Sequence, residues 1–180
     1  RWRPSDGRLT LSRYEAVIDD AGTLSFLFDL SGYTPQFIQA AAEIAKEMEQ
    51  SRGDQQQAAQ GMAMLGLLQQ LTFHGTAIRF TDNSLTGKLL DYQAEQMGST
   101  PDALIGQAKA IIPAQLGPYL GAEAAESVAE AVGTFLENPE NIEISAKPET
   151  PVPLAMLAAA AMASPEMLVK QIGLAVKANQ

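Results

Sequence analysis

The order of apolar patterns along the chain predicts an α+β fold. The expectation is an N-terminal β-hairpin plus three further strands in one mainly antiparallel sheet, with several helices packed on one face. Two observations carry it. Residues 8–30 are a run of aromatic and β-branched residues about an Asp/Gly turn, and the later strand-like runs are separated by helical pairs or triples. The whole chain, residues 1–180, reads as a single domain, a size that buries a sizeable core.

Arg8 to Ile18 reads as a strand and Asp19-Asp20-Ala21-Gly22 as a turn. In the next strand, Thr23 to Leu30, the residues Leu24, Phe26, Phe28 and Leu30 share one face. Thr34-Pro35 starts a helix, because threonine accepts from free amides and proline suits the first helical position. Phe37, Ala41, Ile44 and Met48 then form one stripe at helical spacing. Arg52-Gly53-Asp54 interrupts that helix, and a second one covers Gln55 to Gln70.

Leu71 to Thr81 reads as a strand with a phase change. Leu71 and Phe73 are apolar at odd positions and Ile78 and Phe80 at even ones, so Gly75 between them is expected in a β-bulge. Helices follow over Leu85 to Met97, closed by Gly98, from Thr100-Pro101 to Pro113, and over about Ala122 to Leu136. Ile142 to Ala146 is a short strand. An Ala/Met helix, Leu154 to Ala163, and a short helix after Ser164-Pro165 lead to a last strand, Ile172 to Ala178. Phe26–Ser31 and Ile78–Ser84 both precede helical runs, either as a duplicated strand–helix unit or, as expected here, as two independent uses of the same capping chemistry.

Composition narrows the function. The net charge of −9 disfavours phosphate backbones and anionic lipid headgroups, so no nucleic acid is expected as a partner. The absence of cysteine removes disulfides, thiolate chemistry and cysteine-based metal sites. The most apolar run, Leu154 to Ala163, is ten residues, short of the roughly 20 that span a bilayer. No signal peptide is visible. The opening Arg1-Trp2-Arg3-Pro4, without methionine, points to a processed protein or a domain of a longer one.

No catalytic motif stands out. His74 is the only histidine, and with no cysteine beside it no metal and no cofactor are expected. Its catalytic reading would be a general base; its plain reading is a strand histidine bonded to a neighbour. Asp29, Arg79 and Asp82 lie near strand ends. They offer either acid–base chemistry and polar-ligand binding, or a helix cap by Asp82 or Ser84 and a cross-strand ion pair from Arg79. The caps and pairs are the expected outcome. Ser31 and Ser164 lack a Gly-x-Ser-x-Gly elbow, and the glycines lack nucleotide-loop spacing.

The Ala/Met/Leu helices around residues 58–68 and 154–168 are the most unusual feature. Met62, Met64, Met156 and Met162 could line an apolar-ligand cavity or a partner groove, or fill ordinary core. Helix 154–163 has no polar face. Either it is covered on every side, or one flank meets another protein or copy.

Gly7-Arg8-Leu9-Thr10-Leu11, the turn to Gly22-Thr23-Leu24, and Phe80-Thr81-Asp82-Asn83-Ser84-Leu85 together resemble bacterial envelope proteins of the AsmA-like and YdgA-like kind. That resemblance implies a periplasmic domain of a longer envelope protein and implies no enzyme. The chain is more helical than a long AsmA-type β-groove, which argues against a lipid conduit. The leading expectation is thus a non-enzymatic interaction or assembly domain. A carrier or sensor with an apolar pocket is second, and a hydrolase or isomerase around His74, Asp29 and Asp82 third.

Overall fold

The computed structural model describes the backbone of residues 1–50 and 54–180 and side chains outside residues 48–58. The expected break at Arg52-Gly53 and the side chain of Met48 lie outside the described residues. Strands β1 (Trp2–Arg3), β2 (Arg8–Ile18) and β3 (Gly22–Ser31) come first, followed by helices α1 (Pro35–Gln50) and α2 (Asp54–Gln70). Then come β4 (Thr72–Asp82), α3 (Leu85–Met97), α4 (Pro101–Leu120) and α5 (Ala122–Glu137). The chain ends with β5 (Asn141–Ala146), β6 (Val152–Pro153), α6 (Leu154–Ala163), α7 (Pro165–Ile172) and β7 (Leu174–Ala178).

The fold is α+β. Its antiparallel sheet runs β1-β2-β3-β4-β5-β7, with β6 also paired to β4. All five expected strands are present. The two added ones, β1 and β6, have two residues each, too few to show any periodicity.

One expectation needs correction. Helix α4 does not stop at Pro113; it runs through Pro113 and Pro118 to Leu120. An interior proline costs about 3 kcal/mol, and extensive packing of α4 on α5 offsets that cost. Strand β4 runs from Thr72 to Asp82, and Gly75 within it is not among the glycines with positive φ. What changes there is the partner: Thr72 and Phe73 pair with β6, whereas Thr76 to Thr81 pair with β5.

The chain divides into two compact units. The first comprises Arg1–Ser12, Phe28–Gly75 and Lys147–Ile172. Its core is Leu30, Phe37, Leu67 and Leu71, with Phe28, Ala40, Ala41, Ile44 and Leu154 against it. The stripe on α1 therefore faces inward, and the Thr34 hydroxyl accepts from the Phe37 amide at 3.1 Å to start that helix. Gly32 is required. It has φ +91°, and a Cβ there would overlap the Gln70 carbonyl.

The second unit comprises Arg13–Leu27, Thr76–Ala146 and Gly173–Gln180. Helix α5 turns Ala125, Ala129, Ala131 and Phe135 inward. It packs on α4, β5 and β7, and the Phe135 ring meets Phe80 edge-on at 6.1 Å. Gly98, in the left-handed region at φ 60°, closes α3 as expected, with its amide and that of Ser99 returning to Glu95 and Ala94. Among the described residues, no helix is long and apolar enough to cross a membrane.

Candidate functional site

In the first unit β3 ends on Ser31, and His74 lies near the start of β4. The Ser31 hydroxyl and His74 Nε2 are 2.8 Å apart, both side chains half-buried. Sequence reading set Ser31 aside for want of an elbow motif, and no local signal marks this pair. It comes from long-range strand placement.

A serine–histidine pair becomes a nucleophile and base when a carboxylate orients the far ring nitrogen. Asp29 lies two residues before Ser31 on the same strand, and so on the same face. Its carboxylate, however, is held by Arg8: Nε to Oδ1 at 3.0 Å and Nη2 to Oδ2 at 2.7 Å. This two-pronged pairing raises the pKa of the Arg8 guanidinium above its ordinary value. Beside it, Arg3 holds the Asp6 carboxyl below the usual range through an ion pair at 2.6 Å. A cleft of about 230 Å³ here is lined by Arg1, Arg3, Arg8 and Thr10, not by Ser31 or His74.

In the second unit Asp82 is a helix cap. Its Oδ1 accepts from the Thr86 amide at 2.9 Å and the Thr86 hydroxyl at 2.7 Å, and its Oδ2 from the Ser84 amide at 2.8 Å. Ser84 instead donates its hydroxyl to the Asp20 carbonyl at 2.7 Å. Arg79 stands opposite Glu143 in the β4–β5 ladder, 3.5 Å away, and donates to Asn141 Oδ1 at 2.8 Å and to the Gln180 carbonyl. These are the cap and cross-strand pair that the residue types predict. A cleft of about 480 Å³ runs past the turn Asp19-Asp20 to Thr81, Asp82 and Asn83. Among the described residues, no three His, Asp or Glu side chains are grouped to hold a metal ion.

His74, Asp29 and Asp82 are thus each engaged with a different partner: Ser31, Arg8 and the first turn of α3.

The methionines behave differently. In the first unit α6 packs against α2 and α7. It buries Ala155 and Ala160, half-buries Leu154 and Leu157, and turns Met156 and Met162 outward. Met162 is 90% exposed and Met156 54%. On α2, Leu67 is buried whereas Met62 is 75% exposed, with Met64 and Leu65 also outward. Met167 on α7 is exposed too. Five of the chain's seven methionines therefore sit on the outside of three helices of one unit. Of the two outcomes expected for α6, the structure takes the one with an uncovered flank.

A family model described as an uncharacterised protein matches residues 15–179. The chain belongs to that family. No curated protein and no solved structure matches it. The matched stretch takes in α2, α6, α7, Ser31 and His74, so both the methionine helices and the serine–histidine pair lie within the family's span.

Proposed function

We propose that this chain is a non-enzymatic interaction or assembly domain of a bacterial envelope protein, and that the outer flank of α6 meets a protein partner. One observation carries the reading: a helix without a polar side chain buries Ala155 and Ala160 on one flank and leaves Met156 and Met162 on the outside. Burying a methionine side chain is worth about 1.5–3 kcal/mol, so leaving five of them in water forgoes stability that a partner restores on docking. Methionine suits such a face because its flexible thioether adapts to another surface. The engagement of Asp29 by Arg8 and of Asp82 by α3 supports the non-enzymatic part. The resemblance of the first half to AsmA-like and YdgA-like proteins supports the envelope setting.

The test is site-specific photo-crosslinking in cells from a benzophenone side chain at position 162, with position 88 on α3 as control. A discrete protein adduct from 162 and not from 88 is the expected result. Adducts to lipid would favour a carrier with an apolar ligand, and no adduct beyond the control would end the proposal.

A further inference from the structure

Methionine is among the residues most often found buried, yet none of the six whose side chains are described is buried in this chain. Met62, Met64, Met156, Met162 and Met167 lie outward on α2, α6 and α7 of the first unit, and Met97 outward on α3 of the second. Among the described residues, the buried set holds no sulfur. The first unit is built on Leu30, Phe37, Leu67 and Leu71, and the second buries Ala125, Ala129 and Phe135 on α5. The chain has no cysteine, so thioethers carry all of its oxidisable sulfur, and every described one meets solvent.

We infer that the five methionines of the first unit are reversible sulfoxidation sites for a hydroperoxide, and that their oxidation switches off the outer flanks of α2, α6 and α7 while the fold stays intact. The switching rests on the reading of these flanks as a docking face. The step balances within the two reactants. The thioether sulfur attacks the terminal oxygen of the hydroperoxide, and an S–O bond forms as the O–O bond breaks. Sulfur gives up two electrons. The proton of the transferred hydroxyl passes to the departing oxygen, which leaves as water or an alcohol. A reductase with two thiols reverses this, removing the oxygen as water and ending as a disulfide, with one enzyme for each sulfoxide epimer.

Two consequences give the switch its direction. A sulfoxide is polar, so the side chain that adapted to an apolar partner must now be stripped of water to dock. Each sulfoxide pressed unpaired against an apolar surface should weaken docking roughly tenfold or more. In a core the same oxidation disrupts packing. Here α6 and α2 instead bury Ala155, Ala160 and Leu67, hydrocarbon side chains inert to peroxide. Leu65, next to Met64 in the chain, is outward as well. Leucine is thus tolerated on this face and, being close to methionine in volume, supplies an oxidation-proof replacement.

The test uses the intact chain in a Met48→Leu background, so that the six outward methionines alone react. Hydrogen peroxide treatment is followed by peptide mass mapping, urea unfolding and retention on a hydrophobic-interaction column. Met162, 90% exposed, should take up oxygen first, and Met64, 42% exposed, last of the five. Retention should fall as oxygen is taken up, the urea midpoint should not move, and both methionine sulfoxide reductases together should restore retention. Combining Met62→Leu, Met64→Leu, Met156→Leu, Met162→Leu and Met167→Leu should remove most of the fall, whereas Met97→Leu should not. In cells, the protein adduct from a benzophenone at position 162 should disappear with peroxide. It should persist when Met62, Met64, Met156 and Met167 are all replaced by leucine.

A urea midpoint that drops with oxidation, a retention that stays unchanged, or a parent adduct that survives peroxide would overturn the inference. So would an adduct lost as readily from the leucine variant as from the parent. Absence of any adduct before peroxide would strike the docking reading alone, because oxygen uptake, retention and unfolding of the purified chain are read without a partner.

Discussion

Both units are rich in small residues, yet they use them differently. In the second, α5 packs on α4 and buries Ala125 and Ala129, and its large side chain, Phe135, goes inward against Phe80. In the first, α6 also buries alanines, but its long side chains, Met156 and Met162, point away. Polar groups follow the same split. Arg79 and Asp82 are committed to holding β4, β5 and α3 in place. Ser31 and His74 form a single bond between two half-buried side chains. The lesson is that alanine content does not distinguish a core helix from a helix with an uncovered flank. The direction of the few long apolar side chains does.

Variants can break or sharpen that contrast. The largest effect is expected in the second unit. Phe135 is only 7% exposed, and Phe135→Ala should cost about 3–5 kcal/mol by leaving a cavity beside Phe80, read as a lowered urea midpoint. A loss below 1 kcal/mol would mean that this packing is not what holds the unit. In the first unit, Gly32→Val should cost about 3 kcal/mol. It forces a β-branched residue to positive φ and drives its Cβ at the Gln70 carbonyl. An unchanged midpoint would show the backbone there to be adaptable. Smallest is Ser31→Ala, which removes one half-buried hydrogen bond and should cost about 1 kcal/mol. Nitrogen-15 NMR of the His74 ring should shift at the same time, because Nε2 loses its partner. An unmoved resonance would mean that the two side chains do not bond in solution.

Much of this fold was legible in the sequence because its strands and helices carry clean periods. Leu24, Phe26, Phe28 and Leu30 alternate, Thr34-Pro35 and Gly98 mark helix ends, and the α1 stripe at Phe37, Ala41 and Ile44 faces the core as spaced. What escaped depends on distant residues. β1 and β6 are defined only by what they pair with, and α4 continues past Pro113 because α5 supports it. The phase change at Gly75 was visible, but the exchange of neighbouring strands beside it was not. At the sites, local chemistry sufficed for Asp82 and Arg79, whose partners are a cap and a facing strand residue. It could not supply the Ser31–His74 pair, 43 residues apart. Nor could it choose between a covered and an uncovered α6, since a helix apolar all round has no face to read.

The most direct test of the central claim replaces one outward methionine and follows partner and fold together. Photo-crosslinking from position 156 would be compared in the parent and in Met162→Glu, with urea unfolding of Met162→Glu and Ala160→Glu alongside. Met162 is 90% exposed and Ala160, two residues earlier on the same helix, is 8%. The account predicts that Met162→Glu abolishes the protein adduct yet unfolds within about 0.5 kcal/mol of the parent, while Ala160→Glu is strongly destabilised by its buried charge. An adduct that survives Met162→Glu, or a Met162→Glu variant that unfolds as readily as Ala160→Glu, would contradict it.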